Sequence, residues 1–172
     1  TIEELKPTHL AVAFDHPDPT FRHTMYVGYQ TNREKERQVS EDIWGQIEKL
    51  KIVLEKMEIP VYQVAGFEAD DVIGTISTQC SEKSAQVIII TGDRDLMQLV
   101  NDKVKLCMPV KGLSDTQIID RDKVYERLGV WPERVVDYKA LVGDASDNYP
   151  GVAGIGPKTA IYLLAEYGTF ED

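Results

Sequence analysis

The stretch Val87-Ile88-Ile89-Ile90-Thr91-Gly92-Asp93-Arg94-Asp95 decides the fold class of this chain. Its first four residues are all β-branched, and such a run predicts a strand that is buried on both faces, as in the interior of a parallel sheet. Thr91 and Gly92 end the strand, and Asp93 and Asp95 follow at its carboxyl end. The stretch therefore predicts a parallel sheet with acids at the edge where open α/β folds bind their ligands.

Three further apolar runs, with helical patterns between them, extend this prediction. The runs cover residues 10–14, 59–64 and 104–108. Helices are predicted over residues 40–57, beginning at the favourable N-cap Ser40, and over residues 67–80 and 93–100. Strands that alternate with helices in this way predict an α/β three-layer domain with a mainly parallel central sheet.

The pattern changes after about residue 113. Residues 120–128, 132–141 and 157–167 have helical patterns joined by Gly and Pro turns, and no strand is predicted among them. We therefore expect two domains, an α/β domain over residues 1–113 and a helical subdomain over residues 114–172.

The composition narrows the classes of function. The chain has 172 residues, 42% of them hydrophobic, which is typical of a globular protein. No apolar run is long enough to cross a bilayer, so no membrane partner is expected. The two cysteines favour a reducing compartment, and we expect a cytoplasmic monomer. A pI of about 4.8 argues against a nucleic-acid partner unless the acids hold cations.

Eight acids are candidate metal ligands because they follow predicted strands or stand close together in the chain: Asp15, Glu68, Asp70, Asp71, Asp93, Asp95, Asp144 and Asp147. The last two have the i, i+3 spacing of neighbours on a helix, in the helical region. Acids at helix starts are also common without a ligand, because the helix dipole favours them. Acids at three successive strand ends would repel one another, however, and so predict a bound cation.

The residue types indicate which cation this is. A cluster of carboxylates without His or Cys suits Mg²⁺ or Mn²⁺, and the three histidines show no metal-ligand spacing. Two such ions would bind the attacking and the leaving oxygen of a phosphodiester displacement. Leaving out the eight candidate ligands changes the net charge from −10 to −2. The acidic pI therefore does not exclude DNA.

A glycine-rich segment over residues 151–160 is the candidate phosphate site. Gly154 and Gly156 allow close backbone approach, and Pro157 suits the first position of the helix that follows. Lys158 adds a positive charge at this helix start, where backbone N–H groups attract phosphate. Thr159 completes the candidate site. The alternative is a tight turn between helices that binds no ligand.

A second candidate nucleic-acid site lies near the start of the chain. Arg22, Tyr26, Tyr29 and Arg33 fall on one face of a predicted helix, where charge and stacking would grip a single strand. Spacing alone favours the alternative, in which this helix packs its tyrosines on the core.

With these motifs in view, the chain resembles the 5′-nuclease (5′–3′ exonuclease) domains of bacterial DNA polymerase I, in the flap-endonuclease superfamily. The matching stretches are residues 12–15 (VAFD), 20–23 (TFRH), 67–74 (FEADDVIG), 91–95 (TGDRD) and 141–148 (LVGDASDN). Residues 151–160 resemble the helix–three-turn–helix of that family. The resemblance implies a PIN-like fold, with this helix–three-turn–helix in the C-terminal subdomain.

The resemblance also implies an activity: metal-dependent hydrolysis of DNA at 5′ flaps and 5′ ends, for primer removal and repair, with a polymerase domain as a possible partner. It assigns Asp15, Glu68 and Asp70 to one divalent ion and Asp93, Asp95 and Asp147 to a second, with Asp71 and Asp144 beside them. Arg22, Asp15 and Asp93 would be catalytic. Arg22, Tyr29 and Arg33 would contact the strand, and residues 154–159 would hold the duplex, with a K⁺ ion in many members.

Two departures from the family accompany the resemblance. The family's first strand, which carries a further metal-binding Asp, precedes the residues matched here, so we expect an incomplete metal site. Gln30 stands where a Lys is usual, and residues 34–37 (EKER) replace a Pro-rich stretch. The alternative function is therefore a non-cleaving, structure-selective DNA-binding piece of such a nuclease. A small-molecule phosphohydrolase with Asp15 as acceptor would leave the helix–three-turn–helix unexplained.

Overall fold

The computed structural model describes residues 2–33, 40–111 and 115–170. The chain divides into two compact units, Thr1–Val72 and Ile73–Asp172. Among the described residues, no helix combines the length and the apolar character that a membrane crossing requires.

The first unit is built around one parallel pair of strands. Its elements in chain order are α1 (Ile2–Leu5), β1 (Val12–Ala13), α2 (Phe21–Met25), α3 (Ser40–Lys56) and β2 (Val61–Tyr62). Strand β1 pairs with β2 in parallel, with Val12 opposite Val61. The amide of Phe14 extends the ladder by donating to the carbonyl of Tyr62 at 2.9 Å. Both predicted strands are confirmed, although each is shorter than its apolar run.

Helix α4 (Ala69–Glu82) leads into the second unit, whose sheet contains the β-branched run Val87–Ile90. Strand β3 (Val87–Ile90) pairs in parallel with β4 (Val104–Lys111), and β4 pairs in antiparallel with β5 (Asp115–Ile119). The parallel pairing is confirmed. The strand order in this sheet is β3-β4-β5.

Strand β5 was not predicted, because its sequence Asp-Thr-Gln-Ile-Ile begins with polar residues. In the structure Asp115 is exposed and only Ile119 is fully buried. Hydrogen bonding to β4 therefore defines this strand, and such pairing leaves little trace in an apolar pattern. The domain boundary predicted near residue 113 falls between these two paired strands and stays a prediction.

The main hydrophobic core lies in the second unit. Its largest fully buried side chains come from the sheet, from the short 3-10 helix Asp95–Leu99 and from the C-terminal helices: Leu96, Met97, Val104, Leu106, Ile119, Val124, Pro132 and Val135. Leu96 and Met97 follow Asp95 directly, so the core fixes the backbone that carries this candidate ligand.

The C-terminal helices are α5 (Arg121–Leu128), α6 (Val135–Val142) and α7 (Pro157–Tyr167), and a short 3-10 helix, Pro132–Arg134, precedes α6. The predicted helices are confirmed, and α7 has the predicted bounds. Between α6 and α7 a small hairpin forms from β6 (Gly143–Asp144) and β7 (Tyr149–Pro150). Gly143 ends α6 with a φ of 83°, and a Cβ there would lie 2.3 Å from the amide nitrogen of Gly151.

Candidate functional site

The N-terminal acidic cluster comprises Asp15, Glu68, Asp70 and Asp71. Asp15 follows β1, and its Oδ1 accepts a hydrogen bond from the amide of Ala69 at 2.7 Å. The carboxylate of Asp71 accepts from the amide of Glu68 at 2.9 Å. These amides belong to the start of α4, where the backbone donors lack partners within the helix. The helix start therefore orients two of the four acids.

Two side chains from the segment after β1 contact Asp71 and Glu68 of the same cluster. The guanidinium of Arg22 donates two hydrogen bonds of 2.7 Å to the two oxygens of Asp71. It also lies 3.3 Å from Oε2 of Glu68. The hydroxyl of Tyr29 donates to Oε1 of Glu68 at 2.9 Å. The two parallel bonds from Arg22 fix the orientation of the Asp71 carboxylate and also stabilise its negative charge.

The pKa values of Asp71 and Glu68 shift in opposite directions. The hydrogen bonds from Arg22 lower the pKa of Asp71 below its usual range. Burial raises the pKa of Glu68, although the hydrogen bond from Tyr29 and the charge of Arg22 work against that rise. Asp71 is therefore the firmly ionised member, whereas Glu68 gains from any further cation beside it.

The single helical face predicted for residues 22–33 does not form. Helix α2 ends at Met25, Tyr26 has an extended backbone, and a separate 3-10 helix covers Thr31–Arg33. The ring of Tyr29 is 4% exposed and therefore offers no stacking surface. Its hydroxyl donates a hydrogen bond to Glu68 instead. The spacing of residues along the chain could not predict this contact. The side chain of Arg33 and residues 34–37 lie outside the described residues.

The C-terminal acidic cluster comprises Asp93, Asp95, Asp144 and Asp147. Within the described residues, Asp95, Asp144 and Asp147 each place a carboxylate oxygen within 4.8 Å of the others. Asp93 lies outside that group of three, and its Oδ1 accepts from the amide of Asp95 at 2.8 Å. The structure thus brings three of these four candidate ligands together, and their assignment to a metal ion stays a prediction.

The prediction that Asp144 and Asp147 lie in a helical region is wrong. Asp144 is the last residue of β6, and Asp147 lies in the turn that leads to β7. Oδ1 of Asp144 accepts from the amide of Ser146 at 2.8 Å and from its hydroxyl at 2.5 Å. A tight hairpin turn, which Gly143 permits, brings the two acids together in place of a helix turn.

Lys139 of α6 is a functional candidate in this cluster that the sequence analysis missed. Its amine donates a hydrogen bond to Oδ1 of Asp95 and another to Oδ2 of Asp144. Burial raises the pKa of Asp144, but the hydrogen bonds from Lys139 and Ser146 outweigh it and lower the pKa to about 2. Burial raises the pKa of Asp95 despite its bond to Lys139. No motif places a lysine here.

The donor set fits a hard divalent cation. The three grouped acids offer only oxygen, are partly buried and come from two backbone segments, the turn after β3 and the β6–β7 hairpin. Mg²⁺ and Mn²⁺ prefer such ligands, whereas zinc sites are richer in His and Cys. The N-terminal acidic cluster offers oxygen ligands of the same kind.

The glycine-rich segment is exposed, as a nucleic-acid site requires. Gly154, Gly156, Lys158 and Thr159 are all exposed. Helix α7 starts after Gly156 without a side-chain cap, and Gly154 has a φ of 84°. Backbone donors at an uncapped helix start, with Lys158 beside them, suit a phosphate.

Comparison with known proteins agrees with this geometry. Two family models match consecutive parts of the chain: the 5′-3′ exonuclease N-terminal resolvase-like domain over residues 1–129, and the 5′-3′ exonuclease C-terminal SAM fold over residues 130–172. The chain belongs to the 5′-3′ exonuclease family.

Among relatives in this family, DNA polymerase I of Mycobacterium leprae is 42% identical over 170 residues, which is 99% of this chain and 18% of the relative. DNA polymerase I of Bacillus caldotenax is 40% identical over 171 residues, again 99% of this chain and 19% of the relative. The chain thus spans less than a fifth of the curated relatives it matches.

Solved structures give the same fold. The D15 protein of T5, crystallised with metal ions, matches with a TM-score of 0.83 and 27% identity over 98% of this chain and 65% of that chain. A T5 5′-exonuclease structure with bound zinc matches with a TM-score of 0.81 and 27% identity, covering 98% of this chain and 64% of that chain.

Proposed function

We propose that this chain is a metal-dependent 5′-nuclease that hydrolyses phosphodiester bonds of DNA at 5′ flaps and 5′ ends. The observation that carries the proposal is the group of Asp95, Asp144 and Asp147, whose carboxylate oxygens lie within 4.8 Å of one another in a chain of the 5′-3′ exonuclease family. The relatives named DNA polymerase I and the metal-bound T5 structures support it.

Each acidic cluster would hold one divalent ion, Mg²⁺ or Mn²⁺. Asp15, Glu68 and Asp70 would bind the first ion, with Asp71 beside them. The second ion would be bound by Asp93, Asp95 and Asp147 together with Asp144, whose carboxylate lies within 4.8 Å of those of Asp95 and Asp147. When bound, such ions lower the pKa of a water molecule and stabilise the charge on the leaving oxygen.

The remaining work falls to this chain's own side chains. Tyr29 directs the carboxylate of Glu68 through its hydroxyl, and Asp71 keeps the guanidinium of Arg22 at the N-terminal acidic cluster. Arg22 would meet the scissile phosphate from this place, and Arg33 would contact the strand. No step requires a particular base, so we expect selectivity for DNA structure rather than sequence.

Residues 154–159 would bind the backbone of the duplex. The exposed amides at the start of α7 and the charge of Lys158 would contact phosphate oxygens, with a K⁺ ion as an additional bridge. These contacts belong to the helical subdomain that we propose from residue 114 onward. We further propose that the chain acts as a cytoplasmic monomer, joined or bound to a polymerase domain.

The alternative is a module that binds branched DNA without cutting it. The test is cleavage of a 5′-labelled double-flap DNA with Mg²⁺, Mn²⁺ or EDTA, using this chain and a version preceded by the first strand of the family. Cleavage that requires a divalent ion supports the nuclease. Tight binding without cleavage by either version, under any ion, supports the alternative.

A further inference from the structure

We propose that Lys139 is an internal counter-cation of the C-terminal acidic cluster, which a divalent ion must displace in order to bind. The inference rests on the proposed function, because it assumes that this cluster is a metal site. It adds a competition between an ammonium group of the protein and the metal.

The contacts of Asp144 carry the first step of the argument. Its Oδ1 accepts two hydrogen bonds from Ser146, and its Oδ2 accepts from Lys139. Both oxygens therefore already accept hydrogen bonds from the protein's own donors. A metal ion that takes Oδ2 as a ligand meets the Lys139 amine at the same oxygen.

The contact with Asp95 makes the conflict more severe. The same amine donates to Oδ1 of Asp95, so Lys139 bridges two of the three acids that lie within 4.8 Å of one another. A divalent ion and an ammonium that share two carboxylates would lie a few ångströms apart and repel each other strongly in a partly buried site. The two cations therefore exclude each other.

Without any cation between them, the carboxylates of Asp95 and Asp144 would repel each other. Asp95 and Asp144 have side chains 30% and 16% exposed, so water screens their mutual repulsion only in part. Lys139 offsets this repulsion, because its amine donates to both carboxylates. The lysine thus keeps the two acids together before the metal arrives.

Lysine is suited to a contact that must be released. Its ammonium is a compact charge on a flexible stem, whereas arginine binds carboxylates through a rigid planar fork. The side chain of Lys139 is 29% exposed, so a route to water is open. We therefore expect the amine to leave the cluster as the ion enters.

The experiment measures Mn²⁺ binding without DNA, by electron paramagnetic resonance, for the unaltered chain, Lys139→Met, Lys139→Arg and Lys83→Met. Lys83 is an exposed lysine in the same unit and belongs to neither acidic cluster, so its variant loses the same charge without removing a contact described in either cluster. Lys139→Met should bind Mn²⁺ about tenfold more tightly, an effect of the size that neighbours of metal ligands have on affinity. Lys139→Arg and Lys83→Met should show no tightening.

The same variants report on the metal-free state. Lys139→Met should have a lower thermal midpoint without metal and a larger rise in midpoint on adding Mn²⁺ than the unaltered chain. Unchanged or weaker Mn²⁺ binding by Lys139→Met would overturn the proposal, because Lys139 would then assist the metal instead of competing with it.

A second measurement follows Lys139 directly in the unaltered chain, and a variant serves only to assign its signal. In protein labelled with ¹³C at the lysine Cε, Mg²⁺ should shift one signal strongly, and Lys139→Arg should remove that signal. A Lys139 signal that does not move while Mg²⁺ binds would contradict displacement. Flap cleavage is assayed separately: metal binding that displaces Lys139 without any cleavage would defeat the nuclease proposal and leave this inference standing.

Discussion

The two acidic clusters neutralise their charge in different ways. In the N-terminal acidic cluster an arginine, Arg22, is fixed on one acid, Asp71, while Glu68 is held mainly by the neutral hydroxyl of Tyr29. In the C-terminal acidic cluster a lysine, Lys139, bridges two acids that stand within ligand distance of a third. The arginine is built into its cluster, whereas the lysine occupies a place that a metal ion would take.

This difference separates two roles for a protein cation beside a metal site. A bidentate arginine contributes orientation, which persists whether or not a metal is present. A lysine between two carboxylates contributes a single positive charge, and a divalent metal ion contributes two. The four predictions that follow test this distinction, beginning with the largest effect.

The largest effect is expected from removing a grouped acid. Asp95→Asn should lower flap cleavage by about 10³-fold or more, comparable to the loss of a main electrostatic group in an active site. Binding of the same DNA should persist or improve, because a negative charge is lost. The readouts are single-turnover cleavage and fluorescence anisotropy, with the exposed Asp115→Asn as control. Retained cleavage would remove the C-terminal acidic cluster from the mechanism.

The arginine pair should contribute to the stability of the metal-free protein. Arg22→Met should lower the free energy of unfolding by about 2–3 kcal/mol, because it removes two charge-assisted hydrogen bonds to Asp71. In a double-mutant cycle with Asp71→Asn, measured by urea unfolding, the two losses should be strongly non-additive. Additive losses would mean that the pair orients nothing.

The pKa of Asp144 predicts how stability depends on pH. Because its pKa is about 2 in the folded chain, against 3.8 ordinarily, its stabilising effect is present above pH 3.8 and is lost as the pH falls toward 2. The contribution is roughly 2 kcal/mol. Urea unfolding of metal-free protein from pH 5 to pH 2.5 should therefore show a steeper loss for the unaltered chain than for Asp144→Asn. Parallel curves would contradict the role of Lys139 as its partner.

The smallest effect concerns a lysine outside both clusters. Lys158 is exposed at the start of α7, and the described residues give it no ion pair. Lys158→Ala should weaken binding to all duplex sequences alike and reduce the salt slope of log K by about 1. Lys83→Ala is the matched control. An unchanged slope would mean that Lys158 does not contact phosphate.

Much of the fold and part of the site could be predicted from the sequence, for identifiable physical reasons. A run of β-branched residues located β3, and Pro157 after glycine located the start of α7, because both signals are local. The acids after β1 and β3 were found because they follow strands. Features of this kind depend on residues that are adjacent in the sequence and can therefore be predicted from it.

The missed features depend on contacts between distant residues. Strand β5 is defined by its pairing with β4, and the buried Tyr29 donates to Glu68, which lies 39 positions later in the chain. Lys139 reaches Asp95 across 44 positions. The hairpin at residues 143–150 likewise replaced a helical turn, since i, i+3 spacing fits both.

The most direct test of the central claim is cleavage of a 5′-labelled double-flap DNA in Mg²⁺, Mn²⁺ and EDTA by the unaltered chain and by Asp95→Asn. We expect products near the flap junction with either ion, none with EDTA, and cleavage by Asp95→Asn that is slower by about 10³-fold or more. Cleavage that survives EDTA, or that Asp95→Asn performs as fast as the unaltered chain, would contradict it.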